Sequence, residues 1–458
     1  MKIMDIERIL FAFLAMCGMV LFLYDVYVDI SITFFLLVMI VLYLFTSPTM
    51  KGRSFSKIVM IVYLAPFIHL YEYLVYGYTQ RDYAFGLLAA TPYSFVEPII
   101  ETMGLLAVVG ALGLLIGLIS GGKSPGHSAV PSKSTYFPLP IAGFWFFLLL
   151  SLFFAFIDKP TQTIAEAAYS ASVNLLQQVG ISFNGAWQMA YILLCATYID
   201  SVLSRDRTKT YLFVAVLIVE TYWQFSTGNR EIIGVYLFLL VMNAYRIRST
   251  KQAVFLFLAA VFLLLISQIV GTLRSISTDK NFLEIIDLTI SNIHLDRLIE
   301  GTWSAVCLTP LSVAGDYYYG LLDFKYGSTY LDYVLSLPPS FLADMIGYTR
   351  PVNGLAGPAW EMRYGIGGTH ALVVPFMNFG IIGVLSIMLM YGIFLSQIEL
   401  QISNKNFYSQ IVIGTVCTSL LFWFWYGEMA IVRDLMACIF TVLLYFAAVK
   451  VQWRWKTI

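Results

Sequence analysis

Residues 97–119 read EPIIETMGLLAVVGALGLLIGLI, a run whose only charges, Glu97 and Glu101, stand at its beginning. A helix that crosses a bilayer needs about 20 mostly apolar residues, so this run reads as a transmembrane helix. The same pattern recurs along the chain. Counting it gives twelve spans, at 8–24, 30–47, 57–76, 97–119, 138–157, 184–203, 210–226, 230–247, 252–271, 371–395, 409–427 and 430–449. The first span is followed by Tyr24, Asp25 and Asp29 rather than by small residues, which marks a retained helix and not a signal peptide.

The whole composition agrees with the twelve runs. Of the 458 residues, 59% are apolar and 12% charged, against about 45–50% and 25% in a soluble domain. Mean hydropathy is +0.80. So few charges cannot solvate three soluble domains, which the length alone would predict. Lys plus Arg equals Asp plus Glu at 27 each, so no net basicity invites nucleic acid. The cysteines, Cys17, Cys195, Cys307, Cys417 and Cys438, are scattered without a paired spacing, which indicates neither a disulfide framework nor a zinc site.

With the N-terminus placed in the cytoplasm, 17 of the 27 Lys and Arg fall in the inner segments and only Arg81, Lys159, Arg230 and Arg433 in the short outer ones. That asymmetry satisfies the positive-inside rule, from which long loops are largely exempt. The expected chain is an all-α polytopic membrane protein with both termini cytoplasmic. Residues 1–271 hold nine helices, 272–369 form one long periplasmic loop, and 370–458 hold three more helices. Within the loop, Phe282, Ile286, Ile293 and Leu298 recur at near-helical intervals. The segment 121–139, rich in Gly, Ser and Pro, reads as a cytoplasmic linker.

Three constellations could carry chemistry. Arg230, Arg274, Arg363 and Arg433 all fall on the outer side. One such arginine alone reads as an interfacial anchor or a salt bridge, with Glu428 or Asp434 as partners for Arg433. Four near one loop match a phosphate-bearing ligand, because guanidinium never loses its charge and binds phosphate oxygens bidentately. Next comes Gly365-Ile366-Gly367-Gly368-Thr369-His370, whose glycines permit a close backbone approach or an anion nest. A lone histidine is usually structural, yet His370 beside Glu361 and Arg363 fits a proton carrier. Last, Asp316, Tyr317, Tyr318 and Tyr319 combine aromatic faces with a carboxylate, as a sugar site does. Tyrosines also gather at membrane interfaces for no other reason. His69 facing Glu72 reads as a structural bond, and His294 as part of an exposed face. Glu220 and its like are too few within the spans to make a proton relay.

Several chemistries leave no trace: there is no Walker A loop, no GxSxG, no HExxH and no DxD. ATP-driven transport and metal-dependent use of soluble nucleotide sugars therefore lose ground.

Four stretches carry a resemblance. They are Gly228-Asn229-Arg230 at the start of an apolar run; Leu337-Pro338-Pro339-Ser340-Phe341-Leu342 with Arg350-Pro351; the Gly/His stretch 365–370 leading into Asn378-Phe379-Gly380-Ile381-Ile382-Gly383; and Glu428 to Arg433. Together with the hydropathy profile, they resemble the Wzy family of O-antigen and repeat-unit polymerases, the enterobacterial common antigen polymerase branch most. The resemblance implies a fold similar to the C-type membrane glycosyltransferases (GT-C) in the bacterial inner membrane. It implies an inverting glycosyltransferase that uses no metal and no cofactor. Its substrates would be undecaprenyl-pyrophosphate-linked oligosaccharides, with a chain-length regulator as a further partner. Under that reading Arg230, Arg274, Arg363 and Arg433 bind the pyrophosphate. His370 is the first choice for general base and Glu361 the second. O-antigen ligases share the fold and the donor, and remain an alternative. A lipid-linked oligosaccharide flippase is the alternative from another class, although such transporters are usually built from repeated halves and none is visible here.

Overall fold

A computed structural model describes residues 3–24, 29–76, 97–121, 138–158, 186–226, 231–244, 252, 254, 258, 306–335, 345–349, 370–402, 407–425 and 429–456. Among them there are helices and turns and no strand. In chain order the helices are α1 (Ile3–Leu23), α2 (Ile30–Thr46), α3 (Ser54–Tyr76), α4 (Glu97–Ser120), α5 (Ile141–Asp158), α6 (Ala186–Ser204), α7 (Arg207–Ser226), α8 (Ile233–Ala244), α9 (Leu308–Tyr318), α10 (Ser328–Leu335), α11 (Val373–Ile402), α12 (Phe407–Trp425) and α13 (Met429–Lys456). Three of these are long and apolar enough to cross a membrane by length and composition, over Ile6–Leu23, Pro98–Ser120 and Val373–Gln401. The expected span 252–271 lies, but for three residues, outside the described part. So do 272–305 and much of the rest of the long loop, including the near-helical stretch from Phe282 to Leu298.

Two helices organise the bundle. α4 touches α1, α2, α3, α9 and α11, while α6 touches α5, α7, α8, α12 and α13. The apolar run of α4 is 89% buried and that of α1 only 22%, so α4 is the centre and α1 an edge. The apolar effect does not distinguish helix from lipid. Tight pairing must therefore come from close packing, which small residues permit.

The α4–α11 seam shows this directly. Gly113 and Gly117 of α4 and Gly121 just past its end recur every fourth residue, hence on one face. A methyl group on Gly117 would lie 2.8 Å from Gly392 Cα and closer still to the Leu389 carbonyl. One on Gly392 would lie 2.8 Å from Gly117 Cα and against the Leu114 carbonyl. On another side of α4, Tyr63 and Tyr71 of α3 lie over Gly110 and Gly104, and their hydroxyls donate to the Ala107 and Ile100 carbonyls.

Helix ends are tied by charge. At the C-terminus of α4, Arg53 Nη1 donates to the Leu118 carbonyl (2.5 Å), Arg8 Nη2 to that of Ile119 (3.3 Å), and Gln397 to that of Gly121. These carbonyls have no helical partner, and the negative end of the helix dipole favours cations there. Arg53, which as a sequence reads as a loop charge, is 2% exposed. Glu399 of α11 accepts from the Phe55 and Ser56 amides at 3.0 and 3.3 Å, capping the start of α3. Lys209 and Asp200 form a buried ion pair at 2.6 Å. Lys209 also donates to the Leu139 carbonyl, and Asp200 accepts from the Leu139 amide. That pair fastens α6 and α7 to the start of α5.

Candidate functional site

The run Asn378-Phe379-Gly380 sits inside an apolar helix and breaks it. Phe379 (φ −136°, ψ 15°) and Gly380 (φ 64°, ψ −155°) leave helical geometry, then α11 resumes. A positive φ at Gly380 is open to glycine at little cost, and an added Cβ there would be strained. Two carbonyls lose their helical partners at the break. The segment before α10 supplies replacements: the Lys325 amide donates to the Met377 carbonyl (2.8 Å) and the Tyr326 amide to that of Asn378 (3.2 Å). The Asn378 side chain completes the clasp. Its Oδ1 accepts from the Gly327 amide (2.9 Å), and its Nδ2 donates to Thr329 Oγ1 (2.6 Å) and to the Val374 carbonyl (2.8 Å). Aromatic rings close around it. Phe379 stacks on Tyr330, and Phe324 and Tyr317 both meet Phe376.

Asn378 is fully buried, so truncating it leaves buried polar groups unpaired at about 1–3 kcal/mol each. Asn378→Ala should therefore loosen the 324–330 segment. Limited proteolysis of the detergent-solubilised protein should cut there markedly faster than in the parent, with Asn378→Asp intermediate because it keeps the acceptor. Equal cleavage rates would mean that the clasp does not hold the segment.

His370 stands just before α11. Its ring is completely buried, edge-on to Phe67 (4.7 Å between centroids) and Tyr63 (5.0 Å). The Ala371 amide donates to the Phe424 carbonyl, fixing the turn against α12. His370 Nδ1 accepts from the Leu372 amide at 3.3 Å. In a neutral ring this assigns the proton to Nε2, which has no well-formed hydrogen bond among the described residues. Burial disfavours the cation and holds the imidazole well below the usual histidine range. The Tyr63 backbone acts weakly in the opposite sense. As it stands, the ring is set to donate through Nε2 rather than to accept.

The expected sugar-binding residues divide at the end of α9. Asp316 is fully buried, and Tyr317 packs between Phe22 and Phe376. Tyr318 and Tyr319 remain 42% and 49% exposed and meet edge-to-face. The backbone of Arg433 lies in the first turns of α13. Its neighbour Asp434 accepts from Trp423 Nε1 at 3.0 Å. Arg230, Arg274, Glu361, Arg363 and Glu428 lie outside the described residues. The structure thus joins the helix break to the clasp before α10, and sets His370 apart from them, against Tyr63 and Phe67 ahead of α11. Thr329 and Gly327 were not among the expected site residues. Their only sequence signal is a Gly-Ser-Thr turn ahead of a short helix.

No protein-family model, no curated protein and no solved structure matches the chain.

Proposed function

We propose that the protein is an inverting, metal-independent membrane glycosyltransferase of twelve spans and GT-C-like fold. It would sit in a bacterial inner membrane with both termini cytoplasmic, and would polymerise glycans carried on polyprenyl pyrophosphate. The observation that carries this reading is the break in α11, clasped by the segment before α10. Interrupted helices line sites inside membrane proteins because their freed backbone groups need partners. Here a loop outside the apolar runs is bonded directly into such a break.

In the proposed reaction, the hydroxyl at the non-reducing end of a new repeat unit attacks the anomeric carbon of the growing chain. The bond from that carbon to pyrophosphate breaks as the new glycosidic bond forms. Charge grows on the leaving pyrophosphate, and preorganised cations are the strongest means of stabilising it. Arg230, Arg274, Arg363 and Arg433 take that role. The hydroxyl proton goes to Glu361. His370, holding its proton on Nε2, donates a hydrogen bond to the leaving group once substrate binding uncovers the ring, which is completely buried without it.

The test is reconstitution of purified protein with purified lipid-linked repeat units. The expected result is a ladder of longer lipid-linked glycans with release of polyprenyl pyrophosphate. Movement of the lipid-linked unit across the vesicle membrane without elongation would overturn the reading in favour of a flippase. Transfer only to a lipid A core acceptor would make the protein a ligase.

A further inference from the structure

Glu220 is fully buried on α7, which packs on α5 and α6. It is the fourteenth of twenty residues in that helix, roughly 9 Å along the axis from the Ser226 end at 1.5 Å per residue. Its helix neighbours Ile218, Val219 and Tyr222 point outward and are 62%, 46% and 75% exposed. The carboxyl therefore faces the interior and the apolar side chains face the surroundings.

The contacts define its protonation. Ser151 Oγ of α5 lies 2.8 Å from the Ala190 carbonyl and 2.6 Å from Glu220 Oε1. Both are hydrogen-bonding distances for a hydroxyl. A serine hydroxyl carries one proton and two lone pairs. If that proton goes to the Ala190 carbonyl, which can only accept, the second bond needs a proton from Glu220. The surroundings demand the same. No Lys, Arg or His among the described residues pairs with Glu220, and an isolated carboxylate out of water is far costlier than a neutral acid. Among the described residues, the Cys195 thiol of α6 interacts with it electrostatically and brings no positive charge. Its second oxygen, Oε2, is buried and has no hydrogen-bond partner among the described residues. A buried carboxyl oxygen left unengaged calls for an explanation, and it offers a face on which a proton can be taken up or released.

We propose that Glu220 and Ser151 form a proton-binding site within the bundle. Glu220 is a neutral carboxylic acid whose proton is held on Ser151 Oγ and is passed on at the buried, unengaged Oε2 face. The site is independent of the proposed glycosyl transfer and stands or falls without it.

The test is infrared difference spectroscopy of purified protein in lipid, which reads the protonated-carboxyl stretching band directly. Parent minus Glu220→Gln should contain one such band, since Gln keeps the shape and cannot carry it. In Ser151→Ala, where the hydrogen bond is gone, that band should move to higher frequency. In D2O it should move to lower frequency, because the proton exchanges. No band lost in Glu220→Gln would mean an ionised carboxylate and overturn the proposal. An unmoved band in Ser151→Ala would remove Ser151 from the site. A band untouched by D2O would leave a sealed structural acid and overturn the exchange. Elution of each variant as a single species in detergent separates these outcomes from misfolding.

Discussion

Replacing Gly117 by Leu should abolish recovery of folded protein, or lower its unfolding temperature in detergent by more than any other single change in the bundle. The reason is geometric. At Gly117 even one methyl group would press on the Leu389 carbonyl and on Gly392 Cα, and both are backbone. Backbone cannot move aside as a flexible side chain can. The two helices would have to separate along the seam they share through Gly113, Gly121 and Gly392. Overpacking commonly costs about 1–3 kcal/mol where side chains can adjust, and more is expected where they cannot. Separation would also pull α11 from the α4 end that Arg53 and Gln397 tie down. Gly392→Ala tests the same contact from the other helix and should show a smaller loss in the same direction. Ile116→Leu, next in sequence and partly buried, conserves volume and should stay within about 1.5 kcal/mol of the parent. If Gly117→Leu unfolds no earlier than Ile116→Leu, α4 and α11 do not meet at this distance.

Much of the helical layout was legible because apolar runs and helices share their ends. The run 97–119 becomes Glu97–Ser120, and 30–47 becomes Ile30–Thr46. At the chain's end the helix outruns the apolar stretch. The run 430–449 became Met429–Lys456 because Lys450, Arg454 and Lys456 do not stop a helix, and cations suit its C-terminal turns. The break at Phe379–Gly380 was not legible in this way. Hydropathy from 371 to 395 is continuous, and the bond partners that make a break affordable stand some fifty residues earlier, at Lys325, Tyr326 and Gly327. The motif Asn378-Phe379-Gly380 marked the place without disclosing its geometry. Burial on α9 was equally hidden. Asp316 and Tyr317 read as a pair with Tyr318 and Tyr319, but the first two pack inward, while the helix ends at Tyr318 and leaves it and the C-cap Tyr319 exposed. The buried Arg53 eluded the charge count because a loop cation and a helix-capping cation are spelled alike.

His370 offers the sharpest test of how the proposed site works. The Leu372 amide occupies Nδ1, so the neutral ring presents Nε2–H. Glutamine places an amide N–H near the position of that Nε2–H and cannot accept a proton there. If His370 donates to the leaving pyrophosphate, His370→Gln should keep transfer within roughly tenfold of the parent. His370→Ala should lose about 10²–10³-fold, the usual cost of one preorganised donor in a transition state. Arg363→Ala, which removes a charged fork, should fall at least as far, and Arg363→Lys should recover little because a point charge does not reproduce two parallel bonds. The measurement is the rate of chain extension with purified lipid-linked units, run beside a binding assay for the donor. Full binding with a Gln variant as slow as the Ala variant would return the base role to His370 and remove it from Glu361. The burial argues against that outcome. A ring sealed between Tyr63 and Phe67 resists the positive charge a base must acquire, whereas a donor stays neutral throughout the step.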